Sequence, residues 1–286
     1  MTSPQKKQHN AHAGYARRRK SGRGRTRERG DQKSYGNSVS SRDPLEYPVR
    51  LNRFIARAGV CSRREADDLI TRGLVAIDEV VITQFGTRVE KGQDVTVRGK
   101  RITPAAHTYV LLNKPRDIIT TASDEKGRTT VLDLITRQDL QEIGLFPVGR
   151  LDRHTRGVLL ITNDGKLAHR LMHPSFETEK IYRVKTAEQL TDDQLESLRS
   201  GITLEDGPAR ADSVDRIEDT EGCEVGISIH EGRNRQIRRM FEKLGHDVKR
   251  LERIRYAGLT TTGIRSGKWR MLNKNEILRL YKLVDL

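Results

Sequence analysis

Apolar positions at the start of the folded part of the chain recur at helical spacing. Leu51, Phe54, Ile55 and Ala58 fall on one face, and Gly59 supplies a left-handed stop. Ser62 opens a second helix: its side chain caps the first turn and Glu65 reciprocates from the third position, a capping box. Ala66, Leu69 and Ile70 continue the buried stripe until Gly73. After it, LVAID, VVIT and DVTVRG alternate like short strands separated by turns. The pattern predicts a small module over residues 49–107, two short helices followed by β-hairpins.

From Tyr109 the elements lengthen, and residues 108–286 read as a second domain. YVLLNKP reads as a buried strand closed by Lys114 and Pro115, and TVLDLI as a short helix. In FPVGRLDRHTRGVLLITNDGKLAHRLMHP a Gly149–Arg150 turn presents Asp152, GVLLIT is a buried strand, and Asp164 caps a helix that has to stop near His173, ahead of Pro174. Strand periodicity in EKIYRV puts Tyr182 and Val184 on one face. In TDDQLESLRSG, Thr191 caps a helix with Leu195 and Leu198 as core. Further on, Ile237, Met240, Phe241 and Leu244 fall at i, i+3, i+4 and i+7, a core stripe with Asn234 as cap and Gly245 as stop. Trp269, in GKWRML, reads as core packing on a late strand.

Charge changes the picture most. The chain has 286 residues, with 54 Lys and Arg against 39 Asp and Glu, a formal +15 that favours a polyanionic partner. The first 48 residues hold 12 Lys and Arg against 4 acids, a net +8. Their RRRKSGRGRTRERG core has almost no large apolar group, which predicts a disordered arm that binds RNA phosphates without sequence preference. In the folded part Arg50, Arg53, Arg57, Arg63 and Arg64 cluster on the helical pair, and their guanidinium groups match phosphate geometry. Arg233, Arg235, Arg238 and Arg239 crowd the start of a helix, where they oppose its dipole. Something anionic has to compensate them.

Other classes fall away. Apolar runs such as Gly157–Ile161 are far shorter than the ~18–20 residues of a membrane span, and an apolar signal region is missing, so a soluble cytoplasmic protein without membrane partners is expected. Cys61 and Cys223 lie far apart without CxxC spacing and read as reduced thiols. His169 and His173 are four apart, but Arg170 stands where a zincin has its glutamate and Pro174 ends the helix at once, so no metal site is expected.

The stretch VRLNRFIARAGVCSRREADDLITRGLVAI resembles the S4 RNA-binding domain, which implies binding to structured RNA and leaves catalysis open. GRLDRHTRG, KIYRV and EGRNRQIRRMF together resemble the bacterial ribosomal-RNA pseudouridine synthases of the RsuA/RluB type, from about Arg50 to the end of the chain. That resemblance implies an α+β fold: a small S4-type domain, then a catalytic domain with a mixed, mainly antiparallel sheet flanked by helices. Asp152 becomes the essential carboxylate, Arg238 its ion-pair partner and Tyr182 the ring that stacks on uracil. Ile237 or a neighbour packs against base or ribose, and Arg150 fills the space left by the flipped base. Lys114, Arg233 and Arg235 join the five N-terminal arginines as RNA contacts. The implied reaction isomerises a uridine of ribosomal RNA, or of a precursor particle, with no cofactor and no metal. The 23S RNA is favoured as substrate and a monomer as the acting form. A small-subunit 16S target and a non-catalytic S4-type ribosome-assembly protein are the alternatives. One departure is Asp117, where many relatives have Gly after the Lys-Pro-x segment.

Overall fold

The computed structural model describes residues 45–218, 220 and 223–286. The expected disordered arm lies outside them except for its last residues, of which Leu45 and Tyr47 pack on the first core. That core belongs to the small module. Its helices are α1 (Leu51–Arg57) and α2 (Arg63–Thr71), and Ser62 caps α2 through the expected box. Gly59 has φ +76°, as a left-handed stop requires. The strands are β1 (Val49–Arg50), β2 (Val75–Ile77), β3 (Val80–Val81), β4 (Arg88–Val89), β5 (Val95–Val97) and β6 (Lys100–Ile102). β1 pairs with β4, and the rest form a four-stranded antiparallel sheet in the order β3-β2-β5-β6. Leu51, Phe54, Ile55, Ala66, Leu69 and Ile70 close over it.

The larger domain is built on a nine-stranded sheet of mixed sense. Its strands are β7 (Tyr109–Lys114), β8 (Phe146–Pro147), β9 (Arg156–Thr162), β10 (Lys180–Thr186), β13 (Ser213–Arg216), β14 (Glu224–Ile229), β15 (Val248–Tyr256), β16 (Leu259–Thr260) and β17 (Trp269–Met271); β11 (Ile202–Leu204) and β12 (Gly207–Ala209) form a separate hairpin. The main path runs β13-β14-β10-β15-β9-β7-β17, with β8 on β9 and β16 on β15. Only the β15–β9 neighbours are parallel. The helices are α3 (Gln138–Gln141), α4 (Gly165–Met172), α5 (Asp192–Ser200), α6 (Gln236–Lys243) and α7 (Lys274–Leu283). One core joins β10, β14, α5 and α6 around Val184, Ile227, Leu198 and Phe241. A second packs α4 and α7 around Leu111, Leu160, Leu171 and Leu280. Burial on alternate faces explains why β7 and β9 read as near-continuous apolar runs.

Two local expectations fail. TVLDLI folds into turns: Thr130 and Asp133 exchange hydrogen bonds as at a helix start, at 2.7 and 3.4 Å, but the next bond, from the Ile135 N–H to the Leu132 carbonyl, closes a tight turn and no helix follows. α6 is entered through Arg235 in the left-handed region (φ +47°) instead of through an Asn234 cap, while its Ile237, Met240 and Phe241 stripe is buried as expected. Gly245, at φ +84°, follows its end.

The small module and the larger domain touch backbone to backbone. A Cβ on Gly59 would lie 1.8 Å from the Glu142 carbonyl oxygen, and one on Gly144 would lie 2.5 Å from that of Ala56. Both glycines also have positive φ, so no other residue fits without moving the chain.

Candidate active site

Asp152 is half-buried in the loop between β8 and β9. That loop is tied down at Leu151 and Thr155. Leu151 is buried, and its N–H and carbonyl meet the Thr120 hydroxyl at 3.3 and 2.8 Å. The Thr155 N–H closes a turn on the Asp152 carbonyl at 3.0 Å.

Lys114 lies beneath this loop, 0% exposed. Its ammonium donates to the carbonyls of Pro115 (3.1 Å), Asp152 (3.2 Å), Arg153 (3.2 Å) and Thr155 (2.9 Å), four acceptors sharing three protons. This overturns its expected place among the RNA contacts, for no face of it reaches solvent. Burial drives the ammonium down to about 8, while Asp152 and Asp117 favour its charged form. Asp117 accounts for the departure from the family pattern. Its backbone is left-handed, φ +68°, the conformation a glycine takes most easily, and its carboxylate meets His154 Nδ1 at 2.9 Å while its N–H donates to the Arg153 carbonyl at 2.8 Å.

Tyr182 is 8% exposed on β10, and Ile237, 4% exposed on α6, shares a core with it and with Leu151. Arg238 is half-buried, and its Nη1 donates to the Val248 carbonyl at 2.9 Å. Among the described residues no ion pair within 4.0 Å joins Arg238 to Asp152, so the expected contact pair is absent. They act on one another at longer range: burial and Arg235 push the guanidinium pKa down, and Asp152 pushes it back up. Arg150 is exposed two residues from Asp152.

The anion demanded by the crowded arginines comes in part from the protein. Asp206, at the tip of the β11–β12 hairpin, takes both ends of Arg239 at 2.9 and 2.8 Å and one end of Arg233 at 3.2 Å. Arg233 also donates to the carbonyls of Asp206, Gly207 and Pro208. It therefore buttresses the hairpin instead of standing free for RNA. Arg235 is exposed and 3.5 Å from Glu242. Sequence reasoning passed over Asp206, although Asp206–Gly207 between two apolar pairs is a hairpin signal. Thr120 had no signal of its own.

In the small module Arg50, Arg53, Arg63 and Arg64 are exposed. Arg53, Arg57 and Arg63 line a cleft of about 1100 Å³ against the larger domain, facing Lys166, His169 and Arg170 of α4. Arg50 lines an adjoining hollow with Arg53, Arg63 and Arg88. Ala122 and Ser123 on the cleft wall lie two and three residues beyond Thr120, which bonds Leu151 of the Asp152 loop. The basic residues along these hollows suit a polyanionic partner.

Comparison with known proteins decides the family. The RNA pseudouridylate synthase family model matches residues 108–243 and the S4 domain model residues 49–95. The ribosomal large subunit pseudouridine synthase B of Bacillus subtilis is 41% identical over 239 residues, covering 82% of this chain and 97% of that one. The chain belongs to the RNA pseudouridine synthase family. An RNA pseudouridine synthase of Aquifex aeolicus is 39% identical over 242 residues, 83% of this chain and 96% of that one. A crystal structure of a pseudouridylate synthase aligns with a TM-score of 0.58 and 27% identity over 81% of this chain and 99% of the other. The chain is thus a pseudouridine synthase with an S4 domain ahead of its catalytic fold, and the α+β reading with its mixed, mainly antiparallel sheet holds. None of the helices among the described residues is long and apolar enough to cross a membrane.

Proposed function

We propose that this synthase converts one uridine of large-subunit, 23S, ribosomal RNA to pseudouridine, acting as a monomer in the cytoplasm, with residues 49–107 as its RNA-binding domain and 108–286 as its catalytic domain. The observation that carries the assignment is the Asp152 loop. Asp152 is half-buried on a loop whose backbone is held by Lys114 at the Asp152 carbonyl and by Thr120 at Leu151; its carboxylate lies within the electrostatic reach of Arg238, and its neighbour Leu151 shares a core with Tyr182. The large-subunit target is supported by the Bacillus subtilis relative, which bears that activity in its name.

The C1′–N1 bond breaks, the uracil turns within the pocket, and C5 takes the place of N1 on C1′. No atom is gained or lost, so the reaction calls for no electron or phosphate donor. Asp152 acts at the ribose, as nucleophile at C1′ or as base, and it has to stay ionised in a site that excludes water. Arg238 supports that state with a charge that pH does not remove. Tyr182 stacks on the uracil, Ile237 fills the wall beside it, and Arg150 enters the space that the flipped nucleotide vacates. Flipping costs a few kcal/mol, offset by phosphate contacts to Arg50, Arg53, Arg57, Arg63, Arg64 and Arg235.

Mapping pseudouridines in the ribosomal RNA of a deletion strain tests the target. One large-subunit pseudouridine should vanish and return with the wild-type gene but not with Asp152→Asn. Loss of a small-subunit pseudouridine instead would move the target, and an unchanged map would remove the assignment.

A further inference from the structure

Arg253 is 2% exposed at the middle of the sheet. It lies opposite Tyr182 on one side and opposite Gly157, just past the Asp152 loop, on the other. The close approach is built in: a Cβ on Gly157 would lie 2.1 Å from the Arg253 carbonyl oxygen. Arg253 Nε donates to the Val158 carbonyl at 2.9 Å, and its guanidinium carbon stands 4.4 Å from the centre of the Tyr256 ring. Its Nη2 is buried without a hydrogen-bond partner.

A second cation adjoins it. Lys180, two residues before Tyr182 on the same strand, donates to the carbonyls of Thr178 and His230. Burial and the charge of Arg253 together press its ammonium down to about 8, so it remains charged at neutral pH. Among the described residues neither cation has a carboxylate within 4.0 Å; Asp212 and Glu231, which act on Lys180 from farther off, hold His230 at 2.7 Å and Arg233 at 2.9 Å. Two neighbouring cations, Arg253 buried and Lys180 half-buried, with no carboxylate within 4.0 Å oppose folding. Their position beside Tyr182 is where the proposed reaction makes an anion.

We propose that Arg253, seconded by Lys180, is a positioning residue of the isomerisation, a fixed positive charge behind Tyr182 that steadies the uracil anion formed when the C1′–N1 bond breaks. This rests on the functional reading above. The bond pair leaves with N1 and spreads over O2 and O4, whether C1′ is taken by the Asp152 carboxylate or loses its neighbouring C2′ proton. C5 then bonds to C1′ as the Asp152 carboxylate leaves it, or as the proton returns to C2′; the C5 proton departs and N1 gains one, so charge and atoms balance and Asp152 is regenerated. A fixed charge in a dry site stabilises such an anion without reorganising.

The test compares large-subunit RNA fragments carrying uridine or 5-fluorouridine at the target, following single-turnover loss of the target nucleoside. Fluorine makes uracil a better leaving group, one that needs less help. Arg253→Gln should slow the uridine substrate by about 10²-fold and the fluorinated one by about 10-fold, with RNA affinity unchanged. Arg253→Lys, which restores the charge, should recover most of the rate. Lys180→Gln, which leaves the Val158 contact intact, should show the same unequal loss and keeps the idea falsifiable where Arg253→Gln fails to fold. Equal slowing of both substrates, or none, would overturn the proposal. A wild-type protein inactive on the uridine fragment would overturn the functional reading first, and this inference with it.

Discussion

Replacing Lys114 with Met separates geometry from stability in the catalytic loop. The change keeps the stem and removes the ammonium from four carbonyls, of which Thr155 is buried and those of Asp152 and Arg153 lie on residues that reach water. Hydrogen bonds to a charged group are worth about 1.5–3 kcal/mol each. With the wetter carbonyls finding water, the loss is about 3–5 kcal/mol. Against it stands the cost of keeping that charge buried. A fall from 10.5 to about 8 is worth about 3 kcal/mol at neutral pH, and Met recovers it. The net destabilisation should therefore be about 2 kcal/mol or less. Catalysis has no such offset, because a loop displaced by about 1 Å costs about 10²-fold in rate. Urea melts, single-turnover tritium release from RNA labelled at uridine C5, and filter binding give the three numbers. Near-normal stability and RNA affinity with a rate down about 10²-fold would bear the reasoning out. An unchanged rate would refute it, and so would RNA affinity falling in step with the rate, which would mean Lys114 touches RNA after all.

The same residue sets a pH dependence: its folded pKa lies below its unfolded one, so between about pH 8 and 10.5 the native state binds fewer protons and wild-type stability should rise relative to Lys114→Met, as melts across that range would show. Arg238→Ala should lower the single-turnover rate by about 10²-fold or more while leaving most RNA affinity, since it removes a charge that acts on one carboxylate among many phosphate contacts; equal loss of both would make it an RNA ligand. Gly144→Ala places a Cβ 2.5 Å from a backbone oxygen at positive φ and should cost about 1–3 kcal/mol in urea melts, with weaker RNA binding as the small module loses its seat. Removing residues 1–44, which hold 12 Lys and Arg, should flatten the salt dependence of RNA binding without changing which uridine is modified.

What was legible in the sequence followed from periodicity and short-range chemistry. The Ser62 box, the Gly59 stop, the Asp164 cap and the alternation that buries Tyr182 and Val184 are all decided within a few residues of chain. What escaped depends on partners far away. Lys114 closes a strand before a proline and the family resemblance puts it among the RNA contacts; only the arrival of residues 152–155, some 40 positions on, makes it a buried donor. Arg233 and Arg239 call for an anion that local sequence does not name, and a hairpin about 30 residues earlier brings Asp206 to them. A left-handed Asp117 was visible only as a departure from pattern, and its reason is the cross-loop contact with His154. The helix entry at Arg235 is instead a local matter: its backbone is left-handed and the Gln236 side chain accepts the Arg233 N–H at 3.1 Å, so the Asn234 side chain does not cap the first turn.

The central claim is that Asp152 drives isomerisation, and tritium release tests it most directly. Purified wild-type protein on large-subunit RNA labelled at uridine C5 should release the label of one uridine per molecule, and Asp152→Asn should bind the same RNA with similar affinity and release none. Release that is equal for the two proteins would contradict the account, and so would a wild type that binds the RNA and releases nothing.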